Sequence, residues 1–286
     1  MSSKINTKVL MSGADFFADT FAINPYMDSS IAVNQDLAES EHADIKRQLE
    51  EAGIEVTIVG APEGCQDGVY IANWGLCRNN KMVLSSLPNK RLAEEPYAKK
   101  IFEGLGLEII TSPYRFSGQG DALPCGNLLF CGSHYRTDPR MHDFLAQNLG
   151  YEVIGLQTIP RLDANGQEVT NSVTGWPDSF FYDIDLAIGI LSPELIAWCP
   201  QAFTPESRQK ISLIDIDKIE VSFAEATEGF ACNLVSNGET VVMSAHAPNF
   251  KADVEAHGLK THTPNVSELG KGGGYIRCTT LTIDNK

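Results

Sequence analysis

The sequence is defined first by what it lacks. None of its seven cysteines (Cys65, Cys77, Cys125, Cys131, Cys199, Cys232 and Cys278) falls in a CxxC pair, and their number is odd. Neither a disulfide framework nor a structural zinc site is suggested, which points to a reducing cytosol. The six histidines show no HExxH or HxH spacing, so no metal and no other cofactor is expected. The opening segment MSSKINTKVLMSGADFF has no continuous apolar stretch of the signal-peptide kind, and no run approaches membrane-spanning length. The expected compartment is therefore cytoplasmic, with no membrane partner. Positive charge is also scarce. Lys and Arg number 22 against 37 Asp and Glu, leaving a formal net charge of −15. Such a surface repels phosphate backbones, which excludes nucleic acid as an expected partner; it aids solubility and favours small cationic ligands.

What is present is a repeat. In EEAGIEVTIVG a helix-like run ends at Gly53 and a β-type stretch follows; FEGLGLEIITS repeats this at Gly106, AQNLGYEVIGLQ at Gly150 and, more weakly, VEAHGLKTHTP at Gly258. In each, a glycine at the expected C-cap ends a helix and the chain turns into a strand. The last gap is about twice the others, so a degenerate copy is expected in TPESRQKISLIDIDKIEVS, starting at Thr204-Pro205. Further β candidates are KMVLS, NLLFCGS, LIAWCP, VVMSA and YIRCTTLTI. The pattern predicts about five strand–strand–helix–strand modules of some fifty residues, closed into a ring with any ligand at the centre.

Unusual stretches lie at the module boundaries: FAINPYMD, GCQDGVYIANWGL, FSGQGDALP, CGSHYRTD, FFYDIDLAIGIL and GKGGGYIRCTTL. The glycine run of the last requires a sharp bend or a close approach, and could present Cys278 or simply pack an inert thiol. Together these stretches resemble, in order and over nearly the whole chain, the INPxM, xDxVFxAN, GxGDAL, GxxxRTD and GGGxxxC motifs of the pentein superfamily. These are the guanidino-group-modifying enzymes, among them dimethylarginine dimethylaminohydrolases, arginine dihydrolases and deiminases, and amidinotransferases. The resemblance implies an α/β fold, a five-bladed pseudo-symmetric propeller over residues 1–286 as one domain. It implies a small cationic guanidino substrate and Cys278 as nucleophile, with Asp185, Asp67, Asn73, Asn24 and Asp121 as binding residues. Arg136 would meet a substrate carboxylate, or form a structural pair with Asp138 or Asp121.

The chemistry suits those residue types. A guanidinium carbon is a poor electrophile, and carboxylates and amides gripping its N–H groups can hold it beside a thiolate and stabilise a tetrahedral intermediate. Attack would expel an amine and leave a thiouronium on Cys278, resolved by water or, in amidino transfer, by an acceptor amine. The sequence also departs from the resemblance. Where the family has a histidine before an aspartate, FYDIDLA has Asp183, placed by strand alternation on one face with Asp185. Where an acidic residue is common before the glycine stretch, Ser117 stands. Three readings remain open: Asp183 transfers the protons, His134 has taken over as base, or the chain is a non-catalytic binder of cationic amino acids or guanidines. Arg277, opposite Cys278 on a regular strand, reads as structural, and RLAEEPYAKK reads as a solvated helix face and first turn. A homo-oligomer is left open.

Overall fold

The computed structural model describes residues 4–286. Its elements follow one plan, five times. The first blade begins with β1 (Lys8–Ser12), helix α1 (Gln35–Glu51) and β2 (Glu55–Val59). The second contains β3 (Gly75–Arg78), β4 (Lys81–Leu84), α2 (Glu94–Gly104) and β5 (Glu108–Ile110). The third repeats this with β6 (Ala122–Cys125), β7 (Leu128–Cys131), α3 (Met141–Leu149) and β8 (Glu152–Gly155). The fourth has β9 (Ile188–Ser192), β10 (Leu195–Trp198), α4 (Pro205–Leu213) and β11 (Asp217–Glu220), followed by the short α5 (Phe223–Thr227). The fifth has β12 (Val235–Ser236), β13 (Thr240–Val242), α6 (Pro248–Ala256) and β14 (Lys260–His262). A last strand, β15 (Leu281–Thr282), returns to the first blade.

Every blade is thus a three-stranded sheet, an antiparallel hairpin whose second strand pairs in parallel with the strand that follows the helix. In the first blade the hairpin partner is supplied by the end of the chain: β15 lies antiparallel to β1, with Val9 opposite Thr282 and Leu10 opposite Leu281. The first strands of neighbouring blades touch, β15 with β3, β6 with β9 and β9 with β12, and so form the inner wall of the ring. This is the five-bladed propeller expected.

The repeated helix ends follow from their caps. Gly150 at the end of α3 is left-handed with φ 73°, its amide bonded to Ala146, as a glycine cap permits without a Cβ clash. Thr204 caps α4 by accepting from the Ser207 amide, and Pro205 occupies the first turn, where its missing N–H is no loss. In α1 the buried positions Ala38, Glu41, His42, Ile45 and Leu49 recur at helical spacing. No helix of the described residues is long and apolar enough to cross a membrane.

Two local expectations change. YIRCTTLTI is a strand only at Leu281–Thr282; Ile276 to Thr279 form a turn. FYDIDLA is not a strand either, because Ile184–Leu186 form a single 3₁₀ turn. Both stretches leave the inner wall to line its mouth, where the backbone cannot continue a ladder.

Closure of the ring should be measurable. Leu281 is fully buried, so Leu281→Ala should lower unfolding stability by about 3 kcal/mol. Leu213→Ala, at a position 77% exposed, should change it by less than about 0.5 kcal/mol. Denaturant midpoints at constant slope would check both.

Candidate active site

The same end of each blade's first strand faces one point. Asn73 lies two residues before β3, Asp121 immediately before β6, Asp185 three before β9, Asn233 two before β12, and Cys278 three before β15. The fold therefore delivers one polar side chain per blade to the mouth of the ring.

Cys278 sits at the centre of the constellation. Its thiol donates to Asp185 Oδ2 at 3.2 Å, and its sulfur accepts from Asn233 Nδ2 at 3.2 Å. Asn233 Oδ1 also accepts from the amides of Cys278 (3.1 Å) and Tyr275 (3.2 Å), so one amide fixes both the thiol and the turn that carries it. Sequence reading missed Asn233. Its signal lay in the repeat: ACNLV enters β12 as IANWGL enters β3, each with asparagine two residues before the strand.

The glycine run is explained by what surrounds it. Gly273 is left-handed with φ 83° and abuts the Asn24 amide, while a Cβ on Gly274 would come within 2.9 Å of Cys278 Cβ. Asn24 donates to the Gly272 carbonyl at 2.9 Å and accepts from the Tyr26 amide at 3.0 Å. Glu41 of α1 accepts from the amides of Ser267, Glu268 and Leu269 and so anchors the turn that leads into the run. The Tyr182 hydroxyl donates to the Gly273 carbonyl at 2.6 Å.

Asp183, in the histidine's place, accepts from Asn73 Nδ2 at 2.7 Å. The same amide nitrogen lies 3.0 Å from Ser117 Oγ, so Ser117 and Asp183 are brought together through Asn73. Arg136 Nη1 stands 3.9 Å from Asp183 Oδ2; the guanidinium stacks 3.9 Å over the Tyr182 ring and donates to the Ile23 carbonyl at 3.1 Å. Its carboxylate neighbour is thus Asp183, not Asp138, which pairs with Arg140. Asp121, expected as a binding residue, accepts from the Ile184 amide at 3.0 Å and so fixes the 3₁₀ turn. Asp67 is buried beside Gln66, whose Nε2 is 3.3 Å away.

The expected strand alternation fails, yet Asp183 and Asp185 both end inside, Asp183 just before the turn at Ile184–Leu186 and Asp185 within it. His134 does not join them. Its backbone is left-handed (φ 83°), its side chain is partly exposed, and Nε2 lies 3.5 Å from Glu168. Arg277 is buried as a structural group: Nη2 donates to Gln119, although no strand sets its direction. RLAEEPYAKK is not wholly a solvated face either. Arg91 and Glu94 are fully buried and paired at 2.7 Å, and Arg91 Nη1 donates to Asn73 Oδ1 at 2.8 Å. A charge three residues from its opposite looks solvated in sequence; here it orients the asparagine.

Electrostatics follow from this burial. Desolvation, then the negative charge of Asp183, raises Asp185 to about 8; Asp183 is raised by desolvation despite Arg136. Desolvation raises Asp67 to about 7 against the pull of Arg91. The Cys278 thiol is pushed well above its ordinary value by burial and then by Asp185. Desolvation lowers Arg277 to about 10, which leaves it charged at neutral pH. Asp67 Oδ1, Asp183 Oδ1 and Asp185 Oδ1 are buried without a donor among the described residues. Such oxygens are costly alone and suit a cation with several N–H groups.

Comparison with known proteins gives the same frame. The family described as N,N dimethylarginine dimethylhydrolase, eukaryotic, matches residues 14–284. The N(G),N(G)-dimethylarginine dimethylaminohydrolase of Mycobacterium tuberculosis is 31% identical over 270 residues, 94% of this chain and 83% of that relative. The bifunctional arginine dihydrolase/ornithine cyclodeaminase AgrE of a Nostoc species is 30% identical over 290 residues, which span 99% of this chain but 38% of that protein. Among solved structures, the product-bound N-terminal domain of the cyanobacterial arginine dihydrolase ArgZ superposes with TM-score 0.88 at 28% identity, covering 98% of each chain.

The raised carboxyls predict a pH trend in stability. Asp67 and Asp185 rise from an ordinary 3.8 to about 7 and about 8. Their contribution is complete at pH below the unfolded value. It is lost as pH climbs, because the unfolded chain ionises first. The urea midpoint should therefore fall between pH 4 and about 8, and Asp185→Asn should flatten the upper part of that fall.

Proposed function

The chain belongs to the dimethylarginine dimethylaminohydrolase family, and on that premise we propose that it hydrolyses a C–N bond of a small, arginine-like guanidine through a covalent thiouronium on Cys278. One observation carries the reading. The thiol at the mouth of the ring lies 3.2 Å from one buried carboxylate, in a buried cluster with two further carboxylate oxygens that lack donors among the described residues. A guanidinium brought there supplies the missing N–H groups and places its carbon beside the sulfur.

The substrate also activates the nucleophile. Burial and Asp185 raise the thiol well above its ordinary value and so keep it protonated. A cation stabilises the Asp185 and Asp67 carboxylates and a thiolate, so binding draws the proton from the Cys278 thiol, and Asp183, raised by burial, carries it. Sulfur then forms its bond to the guanidinium carbon, and the tetrahedral intermediate is held by Asp185 and Asp67. Asp183 passes a proton to the departing nitrogen as the C–N bond breaks. Water attacks the thiouronium, gives a proton to Asp183, and the C–S bond breaks to return the thiol. Asn73, itself oriented by Arg91, holds Asp183 through a hydrogen bond of 2.7 Å. Asn233 supplies the N–H that steadies sulfur while it is anionic. Arg136 offers the guanidinium for a substrate carboxylate.

A second reading has its own observation: among the described residues the Cys278 thiol is bonded to Asn233 and Asp185 and to no imidazole, and the ring of His134 lies against Glu168. The chain would then bind guanidines without turning them over.

A panel of guanidines, followed by mass spectrometry for ammonia, urea and amine release, separates the two. Cys278→Ser should abolish turnover, and a haloacetamidine should label Cys278 before the other six cysteines, with substrate protecting it. Asp183→Asn should lower kcat by about 100-fold or more while changing ligand affinity by less than about threefold. His134→Ala should leave turnover unchanged. Binding without turnover of any guanidine would favour the binder.

A further inference from the structure

Cys278 is delivered by a segment with little regular structure. After β14 the chain makes one 3₁₀ turn, Leu269–Gly272, before it reaches the thiol. Four of the five residues from Gly270 to Gly274 are glycine, and fixing glycine costs more backbone entropy than fixing any other residue. Such a segment needs an outside hold, and α1 supplies one. Glu41 is 4% exposed. Its Oε1 accepts from the Ser267 amide at 2.7 Å and the Ser267 hydroxyl at 2.6 Å. Its Oε2 accepts from the amides of Glu268 (2.9 Å) and Leu269 (3.1 Å). We infer that Glu41 is a positioning residue for Cys278, acting from the first blade through residues 267–269 and the glycine run. This rests on Cys278 being the nucleophile of the reaction proposed above.

Three successive amides close on one carboxylate, as backbone nests do on anions. Bonds of this charge-assisted kind are about twice as strong as neutral ones, so the charge fixes a turn that a neutral side chain would hold loosely. The hold is reciprocal. Glu268 Oε2 accepts from the Asn34 amide at 2.8 Å, and Lys271 Nζ donates to the Ala32 carbonyl at 3.2 Å. The start of α1 is thus held by the turn that Glu41 holds. Asn24 lies in the segment that leads into α1, and it donates to the Gly272 carbonyl at 2.9 Å.

Tyr70 carries the position of the turn onward. Its hydroxyl donates to the Leu269 carbonyl, and its ring lies against Gly274, where a Cβ would come within 2.6 Å of it. The same Cβ would come within 2.9 Å of Cys278 Cβ, so there is no slack between ring, glycine and nucleophile. A turn that shifts therefore moves Tyr70, Gly274 and the sulfur together. Glu41 itself bonds only to the turn. Its loss should lower the fraction of time the thiol is in place and leave substrate binding nearly intact.

The test uses the whole protein and the rate at which a haloacetamidine labels Cys278, followed by mass spectrometry; it needs no turnover. Glu41→Gln keeps the length of the side chain but removes the charge and turns N–H groups toward the amides. Labelling should slow about tenfold or more. With a guanidine that the wild-type protein turns over, kcat should fall by a similar factor while KM changes less than about threefold. Leu145→Ala, fully buried on α3 in a different part of the core, is the control for stability. It should lower the urea midpoint at least as far and label Cys278 at the wild-type rate. Should Glu41→Gln fail to fold, Ser267→Ala decides, since it removes one of the four bonds: labelling slowed about twofold or more supports the inference, and an unchanged rate overturns it. Wild-type labelling in a folded Glu41→Gln would also overturn it, as would equal slowing in Leu145→Ala. If the wild-type protein turns over no guanidine, the hydrolase reading fails by itself, and the labelling rates still decide the role of Glu41.

Discussion

The pairing of β15 with β1 governs the rest of the molecule. Four blades draw their hairpins from contiguous sequence, but the first blade borrows its inner strand from the far end of the chain. That two-residue strand has little ladder of its own. It is held instead by the fully buried Leu281, by Gln119, which brackets the Thr282 backbone from the third blade, and by Asn6. Because Cys278 precedes it by three residues, whatever closes the ring also sets the sulfur. Asn233 from the fifth blade and Asp185 from the fourth then meet it from two sides.

The site is unbalanced when alone and balanced by a cation. Asp67, Asp183 and Asp185 are each buried with an oxygen lacking a donor, and each carboxyl is raised by that burial. The exchange of a histidine for Asp183 and of an acidic residue for Ser117 fits this economy. An imidazolium would need a carboxylate to orient it, whereas Asp183 is oriented by a neutral amide, Asn73, with Ser117 on the same nitrogen. Charge is then handled as one ensemble: Arg91 is neutralised by Glu94, Arg136 stands off Asp183 over an aromatic face, and the thiol shares its proton with Asp185.

Much of this was legible because it is written locally. Glycine-capped helices turning into strands gave five modules, and the motif order gave the fold, the family and the grouping of Cys278 with Asp183, Asp185 and Asn73. Less legible was whatever depends on distant parts of the chain. Strand alternation was applied to FYDIDLA, but Asp121 from another blade takes the Ile184 amide and bends the segment into a 3₁₀ turn. YIRCTTLTI reads as a strand by its β-branched residues, but only its end finds a partner strand. Arg91 and Glu94 carry the spacing of a solvated helix pair, and only the neighbouring blade buries them. Asn233 stands in no charged or glycine-rich phrase, so its role emerges only when the blades are laid over one another.

Ring closure also sets the order in which the chain can assemble. The second to fifth blades can form from neighbouring sequence, through local contacts with modest loop entropy. The first must wait until residues near opposite ends of the chain find each other, the costliest loop in the molecule. Until then the inner wall has a gap, the Asn233 and Asp185 holders lack their sulfur, and Cys278 travels on an unfixed tail. Thiol placement is therefore a late event of folding, and a chain emerging during synthesis carries no assembled Cys278 site until β15 has been made and can pair with β1.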